Sequence, residues 1–244
     1  MTGRRGRALL RAKAGYTATL QGAGRALDRA GLLPAAPPDR AHRTRHWVYS
    51  LTRVHDSTAL ADLDVPWWTY RATDAVEAWL AARPRPVRVF EYGSGASTVW
   101  LGRRANEVHS VEHDRAFAAL FAPRLAGYAH IELRVVEPVA ADRPVVASAK
   151  EGYAGFDFAD YVAAIDDVSG EFDVVVVDGR ARAECLHRAV PRLRPGGIVV
   201  FDNSRRARYR PAIAASGLIE ERLRGLTPTL PYPEQTSLLL TSRP

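Results

Sequence analysis

The sequence predicts an α/β fold: a seven-stranded, mostly parallel sheet with an antiparallel last strand and helices on both faces. Three observations lead there. Strand-length segments such as "VRVFEYG", "FDVVVVDG" and "IVVFDNS" are apolar almost throughout, as strands buried on both faces are. They alternate with helix-like segments of about ten residues, the rhythm of parallel strands joined by crossover helices. The final pair, "LIEERLRGLTPT" and "QTSLLLTS", lies too close in sequence for such a crossover and must pair antiparallel, the last strand inserting beside the fifth.

The elements follow in order. Residues 5–30 have a weak helical pattern, and residues 31–45 ("GLLPAAPPDRAHRTR") are rich in proline and arginine and read as a linker. "PWWTYRATDAVEAWLAAR" places Pro66 at a helix start and Trp68, Ala72, Ala75, Val76 and Trp79 on one face. A strand over 87–93, a helix over 97–105, a strand over 107–114, a helix over 115–126 and a strand over 130–138 come next. A loop and helix fill 139–170, with "FADYVAAIDDV" as the helical part. The fourth strand covers 172–179. "AECLHRAVPRLRPGG" reads as a helix stopped by its glycines, and the fifth strand covers 198–204.

Charge divides the chain. Residues 1–46 hold nine arginines and one lysine against Asp28 and Asp39, so with a total of +7 the remainder is close to neutral. This gives a basic extension and linker over 1–46, able to touch an acidic partner or simply solvated, and a domain over 47–244. Removal of residues 1–44 is expected to leave that domain folded. No aromatic interleaving of the kind used to stack single-stranded bases accompanies the arginines, so no nucleic-acid partner is expected. No apolar run reaches the roughly 20 residues needed to span a bilayer, and the charges within "ALLRAKAGYTATL" argue against a secretory signal. The single cysteine, Cys185, excludes an intrachain disulfide and a cysteine zinc cluster, and favours a cytoplasmic location. Oligomeric state is left open.

The stretch "VFEYGSGAST" ends the first strand and opens the first helix of the alternating unit, the edge at which open α/β sheets bind ligands. Gly93 and Gly95 leave room for a ligand against the backbone, and a branched side chain at Gly93 is expected to block that ligand in a chain that still folds. A dinucleotide fingerprint would carry a third glycine where Thr98 stands, and Glu91 would repel a pyrophosphate. A cationic ligand without phosphate, S-adenosylmethionine, fits better. Glu112, at the end of the second strand, is placed to accept ribose hydroxyls. Ser97 and Thr98 open the helix, where hydroxyls and backbone N–H groups meet a ligand carboxylate or cap the helix.

These motifs resemble the class I S-adenosylmethionine-dependent methyltransferases from about Trp47 to the end. "FEYGSGAST" is similar to the superfamily's first motif, "SVEHD" to its acidic second strand, and "FDVVVVDG" and "LRPGGIVVFDNS" to its fourth and fifth strands; the fold is Rossmann-like. The resemblance implies that Glu91 and Gly93 lie near the methionine end of the cofactor, that Glu112 holds the ribose, and that His113 lies near the adenine. Asp178 ends the fourth strand, and Asp202 and Asn203 end the fifth. Together they resemble the Asp…Asp-Asn metal set of catechol-type O-methyltransferases, in which Mg2+ orients an acceptor hydroxyl and lowers its pKa. The lysine those enzymes place three residues after the first aspartate is replaced here by Ala181, between Arg180 and Arg182. The other reading therefore stays open: Asp178 caps a loop, Asn203 bonds backbone, and Asp202 touches the cofactor ammonium or serves as the base.

Arg180, Arg205, Arg206 and Arg208 fall around the same edge, to bind a carboxylate or phosphate of an acceptor or to be solvated. Trp67, Trp68 and Tyr70 form either a lid wall for a flat or sugar-like acceptor or part of the core. The expected activity is methylation of an oxygen on a small-molecule acceptor, with Asp178 and Asp202 as catalytic residues. An NAD(P)-dependent oxidoreductase and a non-catalytic cofactor-binding module are the alternatives.

Overall fold

The computed structural model describes residues 34, 36–53 and 57–241, with no side-chain description at Arg53 and Ser57. The expected weak helix over 5–30 lies outside the described residues, as does the first part of the linker. The sheet has seven strands in the order β3-β2-β1-β6-β7-β9-β8. β1 (Arg88–Tyr92), β2 (Glu107–Glu112), β3 (Ile131–Val135), β6 (Phe172–Val177) and β7 (Leu193–Phe201) pair in parallel. β9 (Glu234–Leu240) pairs antiparallel with both β7 and β8 (Ile219–Gly225). The antiparallel terminal pair and the insertion of β9 beside β7 are as the sequence predicts.

The alternation within β6 explains the two-layer core. All six of its residues are buried. Val175 and Val177 pack with Phe90, Tyr92, Tyr161, Leu186, Val199 and Phe201, on the side of the helices α6 (Ala159–Ala163), α7 (Arg182–Ala189) and α8 (Arg210–Ala215). Val174 and Val176 pack on the other side with Val76, Leu80, Trp100 and Leu101, from α3 (Tyr70–Ala82) and α4 (Ala96–Gly102). A residue period of two on a strand buried on both faces sends consecutive valines to opposite layers. Each fully buried valine or phenylalanine contributes about 1.5–3 kcal/mol. α5 (Arg115–Leu125) adds Phe121 and Leu125 to a third cluster with Val99 and Tyr70.

Several boundaries differ from the sequence reading. α3 begins at Tyr70, because Thr69 is extended and its hydroxyl accepts from the Ala72 N–H; Pro66 lies in the loop before it. The segment "LRPGG" does not stop a helix. α7 ends at Ala189, a 3-10 turn spans Val190–Arg192, and β7 already begins at Leu193. A two-residue pair, β4 (Val139–Ala140) with β5 (Phe156–Asp157), lies inside the stretch expected to be a loop. At the N-terminal side, α1 (Arg43–Ser50) spans residue 46, where the sequence divides extension from domain, and α2 (Ser57–Asp62) follows. No helix among the described residues is long and apolar enough to cross a membrane.

Candidate active site

β1 lies between β2 and β6, so the chain leaves β1 toward one edge of the sheet for β2 and β3 and then returns to its other side for β6. At such a reversal the loops leaving adjacent strands part and open a crevice at the carboxyl edge. A cavity of about 420 Å3 opens there, lined by Gly93, Ser94, Glu112, His113, Asp178 and Asp202 among others. That volume is within the roughly 300–1,000 Å3 of small-molecule sites.

The two loops at the reversal meet backbone to backbone. Gly93 has φ +96°, and a Cβ there would lie 2.7 Å from both the Cα and N of Gly179. A side chain at Gly93 therefore meets protein backbone, so the expectation of a folded but non-binding variant gives way to one of lost stability. Gly95 and the first turn of α4 are fixed from behind: Thr98 Oγ1 accepts from the Gly95 N–H and donates to Glu91.

Glu91 itself is fully buried and receives hydroxyl donors from Ser97 (2.5 Å), Thr98 (2.5 Å) and Ser110 (2.7 Å). Burial pushes its carboxyl up to about 7 against those hydrogen bonds, with Glu112 adding repulsion. Glu91, Gly95, Ser97 and Thr98 do not line the cavity. Their polar atoms are spent on one another, so in this structure they brace the loop beneath the cavity, whereas the sequence places them at the cofactor.

Glu112 does line the cavity, at the end of β2. Its Oε1 accepts from the backbone N–H groups of His113 (2.8 Å) and Asp114 (2.9 Å), and its Oε2 from the N–H (3.0 Å) and hydroxyl (3.1 Å) of Ser94. Burial opposes its ionisation, but His113 and these N–H groups outweigh burial and hold its pKa below the usual carboxylate range. It remains a charged acceptor at neutral pH, the state that a diol requires. His113 donates to or accepts from Tyr153 Oη through Nε2 (2.8 Å), while its Nδ1 lies 2.5 Å from Glu112 Oε1 without hydrogen-bond alignment.

Asp178, Asp202 and Asn203 converge on the cavity from the ends of β6 and β7. Arg182, on the first turn of α7, fills the space among them. Its guanidinium donates to Asp178 Oδ1 (2.7 Å) and Asn203 Oδ1 (3.3 Å) and lies 3.8 Å from Asp202 Oδ2. A buried cation already neutralises the oxygens that Mg2+ would need, so these residues do not fit a metal site. The expected metal role of Asp178, Asp202 and Asn203 is corrected accordingly. Burial raises Asp202 to about 7; Asp178 adds to this, and Arg182 offsets part of it. Burial likewise raises Asp178, against the pull of Arg182. Asp202 Oδ1 accepts from Thr236 Oγ1 (2.7 Å), and its Oδ2 is the oxygen that faces the guanidinium of Arg182 at 3.8 Å.

Of the aromatic trio, Trp67 alone lines the cavity, held by a bond from its Nε1 to Thr229 Oγ1 (2.7 Å). Trp68 is core, edge-on to Trp100, and Tyr70 is buried against His46. Arg180 and Arg206 line the cavity, Arg180 over the Tyr153 ring, whereas Arg205 and Arg208 are exposed and do not line it. Sequence reasoning missed Ser94 and the role of Arg182. Asp178 and Arg182 are four residues apart, but the residues between them form a loop and not a helix turn, so the spacing gave no signal of the pair.

Residues 90–204, from β1 to the end of β7, match a family model described as a methyltransferase domain. No curated protein sequence matches the chain significantly. Among solved structures, the O-methyltransferase TomG of Streptomyces achromogenes, involved in tomaymycin synthesis and solved with S-adenosylmethionine, is 22% identical. The match covers 80% of this chain and 90% of that one, with a TM-score of 0.53. A methyltransferase-like protein of Silicibacter pomeroyi is 24% identical over 70% of this chain and 86% of its own, with a TM-score of 0.44. An rRNA methylase of Streptococcus thermophilus is 10% identical over 70% and 95%, with a TM-score of 0.47. The family match and the strand order it spans agree: residues 90–204 carry a methyltransferase domain, with the fold of the class I, S-adenosylmethionine-dependent enzymes.

Proposed function

We propose that the protein methylates an oxygen of a small-molecule acceptor, with Asp202 as the proton acceptor. The observation that carries this reading is the Asp202 carboxyl, which lines the cavity, has its Oδ2 3.8 Å from the Arg182 guanidinium, and is raised by burial to about 7. A base works best when its pKa lies near the working pH. S-adenosylmethionine, when bound, supplies a methyl group on a sulfonium centre. Glu112 is the residue suited to its ribose; the Ser94 hydroxyl is the one donor on Glu112 that can rotate away to admit a ligand hydroxyl. Gly93 and Ser94 form the wall beside it. Transfer makes the acceptor O–C bond and breaks the C–S bond, whose electron pair stays on sulfur, and the hydroxyl proton passes to Asp202 Oδ2. Trp67 and Arg206 line the same cavity and are suited to an acceptor with a flat face or an anionic group. The fold shared with TomG, an O-methyltransferase, is compatible with this reading.

The test is formation of S-adenosylhomocysteine from S-adenosylmethionine across hydroxylated small molecules, small amines and an rRNA transcript, in excess chelator. Turnover on a hydroxylated acceptor, lost in Asp202→Asn with cofactor affinity retained, is expected. Turnover only on amines or on RNA overturns the oxygen-acceptor reading.

A further inference from the structure

Arg182 is only 6% exposed, yet it carries a full charge at the floor of the cleft. All five of its N–H groups have acceptors. Nε donates to Gly179 O (3.1 Å), Nη1 to Asp202 O (2.6 Å) and Asn203 Oδ1 (3.3 Å), and Nη2 to Asp178 O (2.6 Å) and Asp178 Oδ1 (2.7 Å). Five donors in a rigid planar fork, each met by oxygen, make a built site rather than a chance contact. The backbone is bent to make it. Ala181, immediately before Arg182, has φ +46°, and Asn203 has φ +52°. For an alanine such a conformation persists only where the surroundings impose it, whereas an asparagine adopts it at little cost.

We infer that the Arg182 guanidinium is the resident cation of the acceptor end of this cleft, standing where a divalent metal would stand, so that Asp178, Asp202 and Asn203 are held in place without metal. Three features support this. The side chains around it are the hard oxygen donors that suit Mg2+ or Mn2+. Arg182 ties the carbonyls at the ends of β6 and β7 to one another, the two strands whose ends carry the acceptor-side aspartates. A dication brought among these oxygens would meet a fixed guanidinium at contact distance, a repulsion only weakly screened in a buried site. Arg182 is thus a positioning residue: it holds the Asp178 carboxylate and the Asp202 carbonyl by hydrogen bonds, with Asp202 Oδ2 3.8 Å from Nη1. The reading rests on the methyl-transfer role of the cleft only for its functional meaning, since the cation site itself is open to a direct test.

The experiment titrates Mn2+ into the full chain, followed by loss of the free-ion paramagnetic resonance signal, in wild type, Arg182→Ala and Arg182→Ala with Asp202→Asn. Each protein is also titrated with S-adenosylhomocysteine by calorimetry. The expected result is no stoichiometric Mn2+ binding in wild type, one bound ion in Arg182→Ala, and loss of that ion in the double variant. One Mn2+ bound by wild type and lost in Asp178→Asn would overturn the inference, because the metal would then hold the site in place of the guanidinium. A folded Arg182→Ala that binds no Mn2+ would also overturn it, since the oxygens would not then form a cation site. Should Arg182→Ala fail to fold, Arg182→Gln, which retains part of the hydrogen bonding without the charge, takes its place with the same two outcomes. Failure of wild type to bind S-adenosylhomocysteine would count against the cofactor reading and leave the Mn2+ result to decide the role of Arg182.

Discussion

Glu91 is a fully buried carboxyl with three hydroxyls upon it, and burial pushes its pKa up to about 7 from an ordinary 4.5. Between those values the native chain keeps a proton that the unfolded chain has released. Glu91 therefore stabilises the fold fully below about 4.5, and that contribution is lost as pH rises through about 7, at up to about 1.4 kcal/mol per pH unit. Glu91→Gln should flatten this part of the profile: between pH 5 and 8.5 the wild-type denaturation midpoint should fall further than that of the variant. Parallel profiles would show that Glu91 is ionised throughout. Glu112 is the opposite case, a partly wrapped carboxylate held ionised by N–H donors. Glu112→Ala should weaken S-adenosylhomocysteine binding by about 1–3 kcal/mol, the worth of charge-assisted hydrogen bonds; unchanged affinity in calorimetry would remove its ribose role. Both acids were legible from their places around the glycine stretch, but their separate duties were not. Sequence spacing tells which residues reach the sheet edge, and not which of them spend their polar atoms on one another, as Glu91, Ser97 and Thr98 do. Arg182 was illegible for the same reason, since its five acceptors come from the ends of two strands.

At the scale of elements, the decisive contact is the one between the loops after β1 and β6. Gly93 has a backbone conformation that side chains resist and a Gly179 backbone 2.7 Å from where its Cβ would be. Gly93→Ala should cost about 2–4 kcal/mol in denaturant unfolding, by overpacking against backbone that cannot rotate aside and by φ strain. Gly127, in a turn with nothing within 4 Å of its missing Cβ and no positive φ, serves as the control, and Gly127→Ala should be near neutral. Equal stabilities would mean that the two loops part at no cost. The strands themselves were readable, because apolar runs buried on both faces leave few other structures open to them. Element ends were less so. Thr69 competed with Pro66 for the start of α3, and its hydroxyl bond to Ala72 decided the outcome. "LRPGG" carries two glycines that mimic a helix stop, yet Leu193 pairs with Phe172 and opens β7. β4 and β5, two residues each, are too short to show any period.

For the molecule as a whole, the charge division of the sequence does not coincide with where packing begins. Among the described residues, Arg40 and Arg43 form ion pairs with Asp74 and Glu77 on α3, and His46 Nδ1 meets Tyr70 Oη at 2.7 Å. α1 also holds the segment leading into β9: Trp47 Nε1 donates to Leu230 O (2.9 Å), and Thr229 N donates to Ser50 Oγ (2.9 Å). That segment supplies Leu230 and Tyr232 to the cavity wall, and Thr229, with φ +63°, anchors Trp67 there. α1 therefore contacts the segment that forms part of the cavity wall. A cut at residue 44, which the Pro/Arg linker invites, falls inside α1 and removes Arg40 and Arg43. We expect a chain beginning at residue 34 to unfold at the same denaturant midpoint as the whole protein and to bind S-adenosylhomocysteine equally well. A chain beginning at residue 51 should lose on the order of 2 kcal/mol or more, from two orphaned backbone groups and the contacts of α1, and its cofactor affinity should fall with it. The two truncations measured together separate a tether from a structural part. Full affinity in the shorter chain would show that the segment before β9 keeps its shape without α1, while a loss already present in the chain beginning at residue 34 would place a structural role in the basic extension itself.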